Sequence, residues 1–127
     1  DQHLRMDIGA LRAAIAADRS AGLRPACVIA TAGTTNTGAI DPLPAIADFC
    51  RDESLWMHVD GCVGALIALA PDHRHLVGGM ERADSLALDL HKWLHVPFDV
   101  GCAVLRDRAV HRRTFAENQH RNKHAAA

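Results

Sequence analysis

The sequence predicts an α/β fold: a mainly parallel sheet with helices on both of its faces. Short apolar runs with the length of strands alternate along the chain with segments whose apolar residues recur at helical spacing. The runs are continuous, as is typical of strands that are covered on both sides. Because 49% of the 127 residues are hydrophobic, the chain has enough apolar surface for a packed core.

The first elements are a helix and a strand. Asp7 is placed to cap the helix, and Gly22 is placed to end it. The apolar run at 26–31 predicts the first strand. The small residues at 33–38 then predict a loop.

A second helix and strand follow. Asp41 before Pro42 is an N-cap and first-turn signature, so we expect a helix from there to about Glu53. The run at 55–59 predicts a buried strand, and 61–70 is small and apolar enough to form a short helix packed against it.

The remaining segments complete the alternation. We expect a surface connection at 71–79, strands at 83–90 and 100–105 with a loop at 91–99 between them, and a helix from 107 to about 115.

Polar residues follow three of the predicted strands. Thr31, Asp60 and the segment 89–92 lie at carboxyl ends, where parallel α/β sheets bind their ligands. We therefore expect these residues to meet in one crevice.

Lys92 is one of only two lysines in the chain. Arginine supplies the other twelve of the fourteen lysine and arginine residues. An amine can lose its proton and attack an aldehyde, which a guanidinium cannot do. Pyridoxal phosphate requires such a lysine and also an acid against its ring nitrogen, which Asp60 could supply. The two residues together predict a pyridoxal phosphate site.

Three blocks of sequence make this prediction specific. The segment 31–42 (TAGTTNTGAIDP), the segment 58–61 (HVDG) and the segment 83–99, with its His91-Lys92-Trp93, resemble the pyridoxal-dependent group II amino acid decarboxylases. This family includes the aromatic amino acid, glutamate, histidine and diaminobutyrate decarboxylases.

The resemblance implies roles for individual residues. Lys92 would be the Schiff-base lysine, and Asp60 would pair with the pyridine nitrogen. Thr31 would lie near the phenolic oxygen of the cofactor and His91 near its phosphate. Cys62 would pack against the ring face, where relatives commonly have alanine.

The resemblance also implies a context for the chain. Residues 1–115 would be a central fragment of the large domain of a fold-type I pyridoxal-phosphate-dependent transferase, and 116–127 a divergent, disordered tail. The full-length protein would be a homodimer that decarboxylates a small-molecule L-amino acid to an amine and carbon dioxide.

Three alternatives stay open. The protein could be another fold-type I lyase, or a catalytically inactive fragment, since it contains no tyrosine. His58-x-Asp60 also matches two ligands of a metal oxygenase, but such enzymes are double-sheet barrels. His58 could act directly in the site or orient the strand end, and Asp89 is excluded from the binding set because a carboxylate repels phosphate.

Composition limits the partners and the compartment. A formal charge of −1 gives no strong field to select nucleic acid or membrane, so we expect neither as a partner. The four cysteines form no C-x-x-C pair and are expected to be free thiols. With no metal cluster, leader or membrane span apparent in the sequence, we expect a cytoplasmic protein.

Overall fold

The computed structural model describes residues 1–115, which contain one four-stranded sheet. Its strands are β1 (Cys27–Thr31), β2 (Trp56–Asp60), β3 (Ser85–Asp89) and β4 (Gly101–Leu105). They lie side by side in chain order; β1, β2 and β3 are parallel, whereas β4 is antiparallel to β3. β4 is antiparallel because the segment 90–100 is shorter than the crossover of about a dozen residues that a parallel connection needs. The predicted α/β class with a mainly parallel sheet is confirmed.

Helix α1 (Ile8–Ser20) has the predicted boundaries. Asp7 caps it, because its Oδ1 accepts the N–H of Ala10 at 2.8 Å. The chain leaves the helix through Gly22, whose φ of 78° is readily adopted by glycine.

Helix α2 (Leu43–Asp52) differs from the prediction at its start. Asp41 does not cap it: one carboxylate oxygen accepts the N–H of Met6 at 2.6 Å and the other accepts the N–H of Thr31 at 2.8 Å. The N-cap prediction for Asp41 is therefore wrong, because long-range backbone donors take the carboxylate. Asp41 instead ties the end of β1 to the segment before α1.

The core lies between the sheet and the two longer helices. Its fully buried side chains of largest volume are Phe49, Leu43, Ile46, Met57 and Val59. Along β1, Val28 and Ala30 face this core, whereas Ile29 on the opposite face is 62% exposed. Within residues 1–115, the predicted second layer of helices is thus not seen over β1.

The segment between β2 and β3 contains three short 3-10 helices: Ala65–Leu69, Arg74–Val77 and Met80–Arg82. The first replaces the predicted short helix. The second lies in the predicted surface connection and buries Val77 in the core.

The segment after β3 contains a single helical turn, α3 (Leu90–Trp93), in the predicted loop. Residues 108–115 are helical, as expected, and the tail predicted at 116–127 lies outside the described residues. Among residues 1–115, no helix combines the length and the apolarity required to cross a bilayer.

Candidate active site

A cavity of about 410 Å³ lies at the carboxyl ends of the three parallel strands. It is lined by Thr31, Gly33, Thr34, Thr35, Asp60, Cys62, Val63, Asp89 and Lys92. Four of the five residues predicted for the site are in this lining, namely Thr31, Asp60, Cys62 and Lys92. The exception is His91.

The pleat of the sheet brings the polar strand ends together. Side chains two residues apart on a strand share a face, and paired residues of parallel strands do so as well. Thr31 pairs with Asp60 across β1 and β2, and Asp60 pairs with Ala87 across β2 and β3. Asp89 follows Ala87 by two residues, so all three polar side chains leave the sheet on the face away from α1 and α2.

Lys92 is held in the cavity by Asp89. Its Nζ lies 2.7 Å from Asp89 Oδ2, and the two side chains are 35% and 23% exposed. The hydrogen bond to Asp89 raises the pKa of Lys92, and the nearby Cys62 and Asp60 add to the rise. The same contact with Lys92 lowers the pKa of Asp89. Both groups are therefore charged at neutral pH.

Asp89 lies in the crevice, as expected from its place at the end of a strand, and its exclusion from the cofactor-binding set stays a prediction. The exclusion considered only the repulsion between the Asp89 carboxylate and a phosphate. It did not consider the Lys92 amine beside that carboxylate. The i,i+3 spacing of Asp89 and Lys92 was the available signal, since such a pair is adjacent on a helical turn.

The turn after β2 fixes Asp60 and Cys62 relative to each other. Asp60 Oδ1 accepts the N–H of Cys62 at 3.1 Å. Burial raises the pKa of the Cys62 thiol to about 11, with further contributions from Asp60 and Asp89. The thiol is consequently protonated at neutral pH and presents a small, weakly polar wall to the cavity.

Close backbone packing forms another wall. The N–H of Gly64 donates to Ala32 O at 3.0 Å, and a Cβ added to Gly64 would lie 2.5 Å from that oxygen. The same Cβ would lie 3.1 Å from the Cα of Gly33, whose φ is 88°. Glycine at both positions allows the loop after β1 to contact the turn after β2.

The loop at 33–38 forms the predicted turn and also lines the cavity. Thr34 Oγ1 lies 2.6 Å from Thr37 Oγ1 and accepts the N–H of Ala39 at 3.1 Å. The loop is thus held by its own hydroxyl groups, while Thr34 and Thr35 face the cavity. The small residues of the loop predicted the turn, and a phosphate-loop interpretation of Thr34 and Thr35 was set aside because their spacing matches no P-loop.

His91 contacts the start of the next strand rather than the cavity. Its Nδ1 accepts the N–H of Val100 at 3.1 Å, and its ring packs edge-on against Phe98 at 4.8 Å between centroids. The ring thereby anchors the loop between β3 and β4. A contact with the cofactor phosphate stays a prediction from resemblance.

His58 belongs to a hydrogen-bonded group on the sheet. Its Nδ1 lies 2.7 Å from Ser85 Oγ, which accepts the indole N–H of Trp56 at 2.8 Å. His58 is outside the cavity lining, so this arrangement favours orientation of β2 over a direct role. The metal-oxygenase alternative conflicts with the open, helix-covered sheet.

A second cavity, of about 390 Å³, lies away from the strand-end site and includes Arg51, Arg82 and Arg106 in its lining. These guanidinium groups already have partners. Arg51 and Arg82 each pair with Asp48, and Arg106 donates to backbone carbonyls. This cavity holds no comparable set of an amine and carboxylates.

Fold and site together define a class: an α/β protein with a small-ligand crevice at the ends of parallel strands, lined by a lysine and carboxylates. Within that class, the chain belongs to the pyridoxal-dependent decarboxylase family, whose conserved domain matches residues 1–122. The resemblance found in the sequence is confirmed.

Individual relatives agree with this assignment. The chain is 49% identical over 115 residues to an aromatic-L-amino-acid decarboxylase of Bacillus atrophaeus, covering 91% of the chain and 24% of that protein. The apo structure of mouse CSAD superimposes with a TM-score of 0.83 at 42% identity, over 86% of the chain and 23% of the mouse chain. Oryza sativa TDC with PLP gives a TM-score of 0.79 at 38% identity, over 85% and 23%. The chain thus spans about a quarter of the length of these proteins.

Proposed function

We propose that the protein is a pyridoxal-phosphate-dependent carboxy-lyase that converts an L-amino acid to an amine and carbon dioxide. The observation that carries the proposal is the presence of Lys92 and Asp60 in one cavity of about 410 Å³. Family membership supports the same chemistry.

The side chains of the cavity fit the chemical groups of the cofactor other than its phosphate. Pyridoxal phosphate presents an aldehyde, a ring nitrogen, a phenolic oxygen and a flat ring face. Lys92 would hold the aldehyde and Asp60 would pair with the protonated nitrogen. Thr31 would offer a hydroxyl to the phenolic oxygen, and Cys62 would offer a small surface to the ring. The crystal structure of the relative Oryza sativa TDC was solved with the same cofactor.

When bound, pyridoxal phosphate supplies the electron sink for the pair left at Cα as carbon dioxide departs. The carboxylate of Asp60 would keep a proton on the ring nitrogen, because a negative charge favours the protonated form. Lys92 Nζ carries a proton inside the cavity, so it can deliver one there. The chain thus supplies attachment, charge and a proton carrier.

The test uses protein expressed from the complete gene. Release of labelled carbon dioxide is measured from a panel of carboxyl-labelled L-amino acids, beginning with aromatic ones because the Bacillus atrophaeus relative is named for them. Lys92→Ala is expected to abolish turnover, and Asp60→Ala to lower it by several orders of magnitude because the ring nitrogen loses its partner. Near-normal release by either variant contradicts the proposal.

A matched control and product analysis separate the alternatives. Asp52→Ala removes an exposed aspartate on α2 that pairs with Arg51 at 2.8 Å, and it should leave turnover unchanged. Amine and carbon dioxide in equal amounts identify a decarboxylase, whereas other products indicate another lyase. We further propose a cytoplasmic homodimer, to be checked by sedimentation and cell fractionation.

A further inference from the structure

Without any ligand, Lys92 forms an ion pair with Asp89 in the cavity. Its ammonium group and Asp89 Oδ2 are 2.7 Å apart, and both side chains are partly exposed. Asp89 precedes α3, yet its side chain makes no capping hydrogen bond to that turn. Its carboxylate instead pairs with Lys92 and also has a hydrogen bond with the Cys62 thiol.

This contact has two opposing effects on covalent attachment. It holds the amine inside the cavity, which favours encounter with an aldehyde. It also stabilises the ammonium form, and only the free amine is a nucleophile. A proton must therefore leave Lys92, and the ion pair must open, before attachment proceeds.

The charged surroundings of Lys92 point in the same direction. Asp89 contributes from the end of β3 and Asp60 from the end of β2. Cys62, in the turn after β2, is protonated at neutral pH and adds no charge there. Two further titratable groups lie near Asp89: the Cys62 thiol, which hydrogen-bonds to its carboxylate, and His91, whose Nε2 lies 4.0 Å from its Oδ2. Asp89 is the only one of the acids with a direct ion pair to Lys92 among the described residues.

We propose that Asp89 is a positioning residue that sets the pH dependence of pyridoxal phosphate attachment to Lys92, by holding the amine in the cavity in its charged form. This inference rests on the proposed function. It assigns to Asp89 a role in loading the protein with its cofactor.

The experiment follows attachment rather than turnover. Cofactor-free protein from the complete gene is mixed with pyridoxal phosphate between pH 6 and 9, and the rate is read from absorbance. Borohydride reduction and peptide mass spectrometry then locate the adduct. With Asp89→Asn, the rate profile should move to lower pH, and attachment at pH 7 should be about two- to fivefold faster, the range of a partly exposed ion pair.

Two further variants separate charge from structure. Asp89→Glu retains the carboxylate and should retain the wild-type profile. Asp52→Asn breaks the exposed pair with Arg51 and should leave the profile unchanged. A wild-type profile for Asp89→Asn, or the same shift for Asp89→Glu, overturns the inference.

A second probe removes the phosphate as an explanation. Pyridoxal lacks that group, so the shift with Asp89→Asn should persist with pyridoxal. A shift seen with pyridoxal phosphate alone means that Asp89 acts by repelling phosphate, which overturns the inference.

Wild-type attachment of pyridoxal at pH 7 should also be faster in about 1 M than in about 0.05 M salt, because salt screens the ion pair of Lys92 and Asp89. The absence of that salt effect opposes the inference without requiring any variant to fold.

The outcomes also separate this inference from the proposed function. Wild-type protein that forms no adduct at Lys92 at any pH overturns both. Adduct formation with an unshifted Asp89→Asn profile overturns the inference alone and leaves the proposed function standing.

Discussion

The close approach of Gly64 to Ala32 allows a quantitative test of how the cavity is built. In Gly64→Ala, the new Cβ would lie 2.5 Å from Ala32 O, about 0.9 Å inside the 3.4 Å at which ordinary contact begins. Gly64 has φ of −97° and ψ of −8°, which alanine adopts without strain. The penalty is therefore steric, and it falls on backbone atoms that cannot rotate away. Overpacking of this kind costs about 1–3 kcal/mol.

Urea denaturation followed by circular dichroism measures this cost, and titration with pyridoxal phosphate measures the effect on the site. We expect a lower midpoint and weaker binding, because the loop after β1 must move away from the turn after β2. Gly101→Ala is the matched control, since its Cβ would meet no neighbour nearer than Asp89 Oδ1 at 3.7 Å. Stability of Gly64→Ala within about 0.5 kcal/mol of wild type refutes the close packing.

Two other predictions concern Asp41 and Cys62. Asp41→Ala should destabilise the protein by about 3 kcal/mol in the same urea assay, because the N–H groups of Met6 and Thr31 both lose a charged acceptor. Cys62 should react slowly with iodoacetamide at pH 7, and its rate should rise about tenfold per pH unit up to its pKa of about 11, since only the thiolate reacts. Peptide mass spectrometry follows this labelling, with the exposed Cys102 as internal reference.

The Asp41 prediction has a control variant, and each of the two predictions has a result that would contradict it. Asp72→Ala removes an exposed aspartate and should leave the urea midpoint unchanged. An Asp41→Ala protein as stable as Asp72→Ala shows that the two backbone contacts contribute little. Labelling of Cys62 that is fast at pH 7 and independent of pH shows that its thiol is not held protonated.

Features that depend on residues close together in the chain, or on the general geometry of parallel sheets, could be predicted from the sequence. Asp7 and Gly22 begin and end α1 as predicted, because capping is decided within one helical turn. The meeting of Thr31, Asp60 and Lys92 was also predictable, since parallel strands place their carboxyl ends at one edge.

Features that depend on distant partners were not predictable. Asp41 carries a valid capping pattern, but Met6 lies 35 residues away and competes for its carboxylate. The position of His91 depends on Val100, at the far end of the loop between β3 and β4. By contrast, the ion pair of Asp89 with Lys92 had a local signal in the sequence, the i,i+3 spacing of the two residues.

The register of the sheet has a consequence for how this sequence can change. Thr31, Asp60 and Asp89 share one face, while Val28, Val59 and their neighbours fill the core on the other. Insertion or deletion of a single residue within β2 would exchange the two sets, placing a carboxylate in the core and valine in the crevice. Length changes should therefore accumulate in the exposed stretch 71–76 of the connection between β2 and β3 and be absent from the strands. The same alternation that stabilises the sheet thus protects the active-site residues from insertions and deletions.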